Sequence, residues 1–293
     1  MSIRLLKTLI AVADHKTFGA AADAVFITHA AVSQQMRALE AELGLVVFDR
    51  SRRTPELSPL GRSLVARARK IVAEYDNLVP ALLNDDGFQG ELGLGAVPTT
   101  LTGLAPAAMS IMRAKYGGLR LRIHPALTAA LLTAIERGTL DVALISKPVI
   151  LPIGLHFLEI AQEPLCLVTS TEISDTDPIH ILQKQPFIRF NRDAVVGTLI
   201  EHWLQNTATR VTEAMELETL EAISSMVHAN LGVSILPAPC VPNPGAVPLR
   251  WLPLENAPRR ALGLAYAKDT LKIRVIEELH AACCTAAHTA AQP

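Results

Sequence analysis

The sequence predicts an α+β multidomain protein, in which a small helical domain is followed by one long helix and a larger α/β region. Its 293 residues are long for a single hydrophobic core and favour two or three domains. Half of the residues are hydrophobic and 19% are charged, which is typical of folded globular proteins. Apolar residues follow a helical period up to about residue 82, and strand-like and helix-like segments alternate after Gly90.

Three short helices are predicted within the first 44 residues. Thr17 and Thr28 are suitable N-caps for the second and third helices, and Gly44 ends the third. Small residues at 20–22 allow the close approach that a tight turn between two helices requires. The apolar stripes of the three helices are, in order, Leu6, Leu9, Ile10 and Ala13; Phe18, Ala21, Ala22 and Val25; and Val32, Met36, Leu39 and Leu43.

The outer face of the third helix is polar but carries little charge. At 100° per residue, Ala30, Ser33, Gln34 and Arg37 fall opposite the core stripe. Hydroxyl and amide groups of this kind can match the donors and acceptors of base edges in a DNA major groove. An ordinary three-helix core with an indifferent surface explains the helix pattern equally well, so the residues that follow decide between the two interpretations.

An arginine-rich β-ribbon is predicted directly after the third helix. Short apolar runs at 46–48 and 56–57 flank a turn that contains Arg52, Arg53 and Pro55. The two arginines would meet phosphates or a minor groove beside the third helix. The net charge of the chain is only −1, yet this region is basic. Its cations are Arg50, Arg52, Arg53, Arg62, Arg67, Arg69 and Lys70.

A long helix is predicted from Ser58, an N-cap followed by Pro59 at a preferred first position. Apolar residues then alternate by four and three, as in a coiled-coil seam, which favours a dimer. The alternative is a single helix that lies on its own domain. Pro80 is expected to kink or end the helix before a hinge at 84–90. The seam consists of Leu64, Ala68, Ile71, Tyr75, Leu78 and Leu82.

The remainder predicts α/β layers around a mostly parallel sheet. Strands are expected at 90–97, 119–126 and 141–146, with helices at 102–115 and 128–137. A second round is expected as strands at 164–170, 186–190, 212–218 and 232–237, with helices at 197–207 and 219–229. A strand at 261–268 and a helix from about 270 complete the chain.

Signals for other functions are weak. The Gly93–Gly95 pair lacks the third glycine of a dinucleotide fingerprint, and neither a phosphate loop nor a nucleophile elbow is present, so we expect no enzyme. A metal- or redox-responsive protein is the other alternative, because His280, Cys283, Cys284 and His288 could share one helix face. Cys166 and Cys240 show no paired spacing. We expect no resident metal or cofactor, no membrane segment and a cytoplasmic location.

The segment "FGAAADAVFITHAAVSQQMRALEAELGLVVFDRSRRTPELSPLGRSLV" resembles the DNA-binding region of the LysR-type transcriptional regulators. The later segments "GELGLGAVPTT", "ERGTLDVALI" and "ANLGVSILP" occur in that family's order, so the resemblance covers nearly the whole chain. It implies a winged helix-turn-helix at 1–58, a linker and dimerisation helix with hinge at 59–89, and an effector-binding domain at 90–293. The last would have a periplasmic-binding-protein-like fold of two subdomains, at about 90–163 with 266–293 and at about 164–265.

The resemblance also implies partners and site residues. The partners would be a double-stranded DNA dyad, further copies of the chain in a homodimer or homotetramer, a small-molecule co-inducer and RNA polymerase. The DNA contacts would be Thr28, His29 (where Gln is more usual), Ala30, Ser33, Gln34, Arg37, Arg52 and Arg53. The effector contacts would be Thr99, Thr100, Thr128, Ser146, Phe190, Asn191 and Thr198. Several relatives place an arginine where this chain has Ser146, so a carboxylate effector would need Arg189, Arg192 or Lys147.

Overall fold

The computed structural model describes residues 2–49, 56–83 and 90–290, except for the side chains at 77 and 79–83. The chain forms two compact units. Unit 1 comprises Met1–Gly87 with Arg137–Thr139, and unit 2 comprises Phe88–Glu136 with Leu140–Pro293. Among the described helices, none is both long and apolar enough to cross a membrane.

Unit 1 contains the three predicted helices, the ribbon and the long helix. Their bounds are α1 Ile3–His15, α2 Phe18–Ala24, α3 His29–Leu43, β1 Phe48–Asp49, β2 Glu56–Leu57 and α4 Pro59–Leu83. The predicted caps are confirmed, since the Thr17 hydroxyl accepts from the Ala20 N–H and the Thr28 hydroxyl from the Ala31 N–H. Gly44 ends α3 with a left-handed φ of 65°. β1 and β2 pair antiparallel, but Arg52 and Arg53 lie outside the described residues.

The core of unit 1 is built from the predicted stripes with some changes. The buried apolar residues of α1 are Leu6, Leu9, Ala11 and Val12, whereas Ile10 and Ala13 are only partly buried. Ala20 is exposed, so only Ala21 and Ala22 provide the close helix approach.

Phe26 marks the turn between α2 and α3. Its φ is 56°, a left-handed value that is unfavourable for a bulky side chain, and its ring is 94% exposed. The turn is held by the N–H of Ile27, which donates to the Ala22 carbonyl. The tight turn predicted between these two helices is therefore a helix end followed by a new N-cap at Thr28.

The structure divides the predicted seam of α4 into two parts. Ala68 is completely buried in the core of unit 1 and Leu64 is partly buried against it, so the coiled-coil prediction is wrong for Ala68. α1 packs on α4 and supplies the partner surface for this part of the helix. Ile71, Tyr75 and Leu78 are about half exposed, while the side chain of Leu82 is among those not described. The helix also continues past Pro80 to Leu83, so of the two alternatives predicted at the proline, the helix end is wrong and the kink stays a prediction.

Unit 2 has two subdomains, each with its own hydrophobic core. The first contains β3 Gly90–Ala96, α5 Leu104–Lys115, β4 Leu119–Pro125, α6 Thr128–Glu136, β5 Val142–Ser146 and α10 Ile273–Ala290. The second contains α7 Pro178–Lys184, β7 Pro186–Phe190, α8 Val195–Asn206, β8 Thr212–Leu217, α9 Leu220–His228, β9 Ser234–Pro237 and β10 Arg250–Pro253. Two longer strands, β6 Leu155–Thr169 and β11 Arg259–Ala267, belong to both.

The sheets are less parallel than predicted. β3 pairs parallel with β4 and β5, and β7 pairs parallel with β8. β6 and β11, however, run antiparallel to each other and to their other neighbours, because the chain crosses from one subdomain to the other in opposite directions along them. The first half of β6, together with α7 and β10, lay in segments for which no element was predicted.

The return to the first subdomain comes earlier than residue 266. Leu262, Leu264 and Ala265 of β11 are already buried in the first core. Leu262 also pairs with Ser146 of β5, so this strand is part of the first sheet from that point. The sequence pattern places the strand correctly but does not reveal which sheet it joins.

Candidate functional site

The outer face of α3 presents the predicted DNA-reading side chains. Thr28, His29, Ala30, Gln34 and Arg37 are exposed, and Ser33 is half-buried. Gln34 makes no side-chain hydrogen bond within the described residues. The arrangement leaves an amide, a hydroxyl, an imidazole and one guanidinium on a single helix face, which are groups suited to base edges and phosphates.

The inner face of α3 is fixed by polar contacts. The Thr8 hydroxyl of α1 donates to Gln35 Oε1 over 2.6 Å. Glu40 Oε1 accepts from the backbone N–H groups of Val47 and Phe48, at 2.9 and 3.0 Å, and so fixes the start of the ribbon relative to the helix. Phe18 stands edge-on to Phe48, with 5.2 Å between ring centroids. These contacts hold the outer face of α3 in a defined orientation within unit 1.

A narrow cleft opens between the two subdomains of unit 2. Four of the predicted effector residues line it: Thr99, Thr128, Ser146 and Phe190. The sequence did not identify the other lining residues, which are Val97, Pro98, Leu127, Ala194, Val195, Val196 and Glu218. The lining is therefore mostly apolar, with hydroxyls from the first subdomain and one carboxylate from the second.

The hydrogen bonds that the three hydroxyls make within the protein determine what each can still offer to a ligand, as a donor or as an acceptor. Thr99 Oγ1 accepts from Arg260 Nη1 over 2.6 Å, which leaves its own proton to be donated elsewhere. The Thr128 hydroxyl makes only a long contact of 3.4 Å with the Ser146 carbonyl. The Ser146 hydroxyl, on a side chain that is 3% exposed, has no hydrogen-bond partner among the described residues. All three are available to a ligand, and Thr99 is a donor to it.

Three predicted contacts are wrong, because their side chains do not line the cleft. The Thr100 hydroxyl is buried and donates to the Val97 carbonyl over 2.8 Å. Asn191 Oδ1 accepts from the Asp193 N–H over 2.8 Å and shapes the turn before α8. Thr198 is exposed on α8 and bonds back to the Ala194 carbonyl. Each of the three has a local structural role instead.

The cations suggested for a carboxylate effector are also engaged elsewhere. Arg189 is paired with Glu201 and Glu213, and Arg192 with Glu213 and Glu216, all at 2.6 Å. Lys147 Nζ lies 5.4 Å from the centroid of the Phe157 ring. None of these three side chains lines the cleft. All the residues that line it belong to the described part of the chain, and Glu218 is the one ionisable residue among them.

A buried ion pair supports the cleft from behind. Arg260 and Glu163, directly opposite each other on β11 and β6, are 1% and 2% exposed. Arg260 Nε donates to Glu163 Oε2 over 2.8 Å, and a second guanidinium nitrogen contacts the same oxygen. Glu163 Oε1 accepts from the Cys240 N–H over 2.7 Å. With the bond from Arg260 to Thr99, this pair connects both crossing strands to the cleft wall.

The family is shown by matches at both ends of the chain. The family model described as "Bacterial regulatory helix-turn-helix protein, lysR family" matches residues 3–62. The model of the LysR substrate binding domain matches residues 85–287. The chain belongs to the LysR family. It is a DNA-binding transcriptional regulator of that family.

Similar proteins extend over the full length of this LysR-family chain. It is 30% identical to a probable hydrogen peroxide-inducible genes activator of Streptomyces viridosporus, over 96% of this chain and 93% of that protein. A full-length OxyR variant from Pseudomonas aeruginosa has a TM-score of 0.78 at 23% identity, with 100% and 98% of the two chains covered. CbnR in complex with its target DNA gives 0.66 at 20%, with 98% and 100% covered. The fold is thus that of full-length LysR regulators.

The cysteines of this LysR-family chain lack the environment of a reactive thiol. Burial raises the pKa of Cys240 to about 12, with a further contribution from the Glu163 carboxylate. Burial also raises the pKa of Cys283 to about 12 and, to a smaller extent, the pKa values of Cys166 and Cys284. Because the thiolate is the nucleophile, these shifts oppose oxidation and alkylation at neutral pH.

The predicted His and Cys cluster does not converge on one point. Cys283 faces the core, whereas the Cys284 sulfur lies 3.6 Å from His280 Nε2, which is also 2.8 Å from the Glu159 carbonyl. His288 Nδ1 contacts the Cys284 carbonyl instead of its sulfur. Within the described residues, no three His, Cys, Asp or Glu side chains are placed to hold a metal ion.

Replacing Glu163 by Gln is expected to lower the free energy of unfolding by about 3–5 kcal/mol, because the Arg260 guanidinium would stay buried without a counter-charge. Urea unfolding measures the change. Glu159→Gln is the matched control on the same strand, since Glu159 is exposed and its replacement should change stability by less than about 0.5 kcal/mol. Equal effects of the two substitutions would contradict the assigned role of the pair.

Alkylation by iodoacetamide at neutral pH is expected to be much slower at folded Cys240 and Cys283 than at free cysteine. Their raised pKa values keep both thiols protonated, so the rate should rise by about tenfold per pH unit through pH 9 without levelling. Mass spectrometry of peptides from a time course measures each site. The urea-unfolded chain, in which all thiols should react like free cysteine, is the control. Any folded thiol that reacts faster than free cysteine would contradict this interpretation.

Proposed function

We propose that this LysR-family regulator reads a DNA dyad with α3 and changes its DNA binding when a small molecule occupies the cleft of unit 2. The observation that carries the proposal is the division of α3 into two faces. Its inner polar groups are bonded within unit 1, while Gln34 and its neighbours on the outer face keep their hydrogen-bonding groups for another molecule. Amide and hydroxyl groups that are not bonded within the protein and lie on one rigid helix face are suited to base edges in the major groove.

In the proposed complex, the contacts divide by chemistry. Ser33, Gln34 and His29 read base edges, with Thr28 and Ala30 packed close to the groove wall. Arg37, together with Arg52 and Arg53 of the ribbon turn outside the described residues, meets phosphates and fixes the register.

Effector control is proposed to act through the crossing strands. A ligand that touches Thr99 on one side and Phe190 on the other favours one relative position of the two subdomains, which are joined along β6 and β11. Binding without turnover is proposed, since the cleft lining pairs no nucleophile with an adjacent base. We propose no resident cofactor or metal, only the co-inducer.

The proposed assembly is a dimer through the exposed half of α4, with two dimers forming a tetramer on DNA. Ile71, Tyr75 and Leu78 leave a row of apolar surface that water does not favour. Contact with RNA polymerase and action in the cytoplasm complete the proposal.

The deciding experiment is a footprint of the purified chain on DNA upstream of its own gene, repeated at several salt concentrations and with candidate ligands. A salt-sensitive, dyad-shaped footprint that shortens or shifts with one compound supports the proposal. Protection of a dyad that no ligand alters would contradict the effector part. Protection no stronger than on random DNA would contradict the assignment of this upstream site.

Gln34→Ala is expected to weaken specific DNA binding by about 1–3 kcal/mol without altering stability, because an exposed amide that reads a base is lost. The neighbouring Gln35→Ala provides the control. It should lower the free energy of unfolding by about 1 kcal/mol through loss of the Thr8 bond, yet keep the ratio of specific to random DNA affinity. Fluorescence anisotropy on both DNA types measures the ratios. An unchanged ratio for Gln34→Ala would contradict its role as a reader.

Ile71→Glu and Leu78→Glu are expected to dissociate the assembly, since each places a charge in a proposed apolar interface. Analytical ultracentrifugation at equal concentrations measures the sedimenting mass. Ala73→Glu is the control, because it introduces the same charge at a residue that is exposed on the opposite side of α4. If all three variants sediment like the parent chain, the seam does not hold the copies together.

A further inference from the structure

The charge distribution around the cleft points to one class of effector. Resting on the function proposed above, we propose that the effector is a small α-amino acid with an apolar side chain, bound as a zwitterion. Its carboxylate is held by the hydroxyls of the first subdomain and the start of α8, and its ammonium group by Glu218. Three observations support the proposal: the hydrogen-bond donors that face the cleft, the carboxylate of Glu218 and the apolar lining.

Several hydrogen-bond donors converge on the cleft. Thr99 accepts from Arg260 and keeps its own proton to donate to a ligand. Ser146 is 3% exposed, and its hydroxyl has no partner within the described part of the chain. A ligand oxygen that accepts from this hydroxyl would supply the partner that the protein does not provide. These nearly buried side chains therefore identify a site for an acceptor group.

The start of α8 adds donors on the opposite side. Its N-cap is Ala194, which has no side chain able to satisfy the free N–H groups of the first turn. Val195 and Val196 of that turn line the cleft. The 12-residue helix also carries positive partial charge at this end, which favours a carboxylate without any lysine or arginine.

Glu218 supplies the opposite charge. It follows β8 directly, and it forms no ion pair with a described residue. The neighbouring acids Glu213 and Glu216 are neutralised by Arg189 and Arg192, so Glu218 is left as the charge that faces the cleft. A plain carboxylate would be repelled by Glu218. A plain amine would leave the convergent donors unsatisfied.

The remaining surface selects a compact apolar side chain. Leu127, Phe190 and Val196 provide apolar walls, and the free space between them is narrow. A long or charged side chain would bury polar atoms without partners. Branched aliphatic amino acids satisfy both requirements, and L-valine is a suitable first probe.

Isothermal titration of the full chain at pH 7 with three matched compounds tests the proposal. L-Valine carries both charges, 3-methylbutanoate lacks the ammonium group, and isobutylamine lacks the carboxylate. We expect saturable binding of L-valine and at least about tenfold weaker binding of the other two, since each loses one set of charge-assisted hydrogen bonds. L-Alanine, L-leucine and L-phenylalanine extend the series in side-chain size.

Variants assign the two ends of the ligand. Glu218→Gln should weaken L-valine about tenfold or more and leave 3-methylbutanoate no weaker, whereas Thr99→Val should weaken both. Glu255→Gln, an exposed glutamate outside the cleft, should leave all affinities unchanged. Circular dichroism confirms that each variant is folded.

The outcomes separate this inference from the proposed function. Binding of 3-methylbutanoate as tight as that of L-valine, or no binding of any of the four amino acids, would overturn the assigned effector class. A footprint on the same protein preparation distinguishes the causes. A retained salt-sensitive dyad would mean that only the ligand class is wrong, whereas loss of specific protection as well would count against the function itself.

Discussion

The buried pair of Arg260 and Glu163 is the interaction on which the architecture of unit 2 depends. Removing these two charges from water costs several kcal/mol per ion, and only close geometry with further hydrogen bonds offsets that cost. Both conditions are met, since the pair is in direct cross-strand register and each partner makes one more bond. The position matters more than the energy. β6 and β11 pass from one core to the other at this point, so a rigid connection here fixes where the two subdomains meet.

That connection also determines the chemistry of the cleft. Because Arg260 donates to Thr99, the threonine is oriented as a donor and the guanidinium itself stays out of the ligand space. A ligand atom on Thr99 therefore perturbs a bond to the crossing strand directly. Such a contact provides a physical route from occupancy of the cleft to the relative position of the subdomains, without a long chain of intermediates.

Local features of the fold were predictable, whereas the partners of each surface were not. Thr17, Thr28 and Gly44 act within a few residues of their own position, so sequence alone placed those helix ends. Ala68 lies at correct seam spacing, but its burial depends on α1, which is distant in the sequence. Glu218 gave no signal of its own, although an acid at the carboxyl end of a predicted parallel strand could have been noted. Thr100 shows the opposite error, because adjacent threonines look alike in sequence yet face different ways.

The two candidate binding surfaces share one property. In each, few unpaired cations lie where the ligand or the DNA would bind. In unit 1, Arg69 pairs with Asp14 and Lys7 with Asp76, while the outer face of α3 keeps one arginine among amides and hydroxyls. In unit 2, Arg189, Arg192 and Arg260 are all paired with glutamates behind or beside the cleft. An unpaired cation attracts any anion within about 10 Å, whatever its shape. A hydroxyl or amide contributes only when its partner has the right atom at the right angle, and leaving such a group unpaired is costly. A regulator must reject many similar molecules and many similar DNA sequences, so its surfaces gain more from directional groups than from unpaired cations.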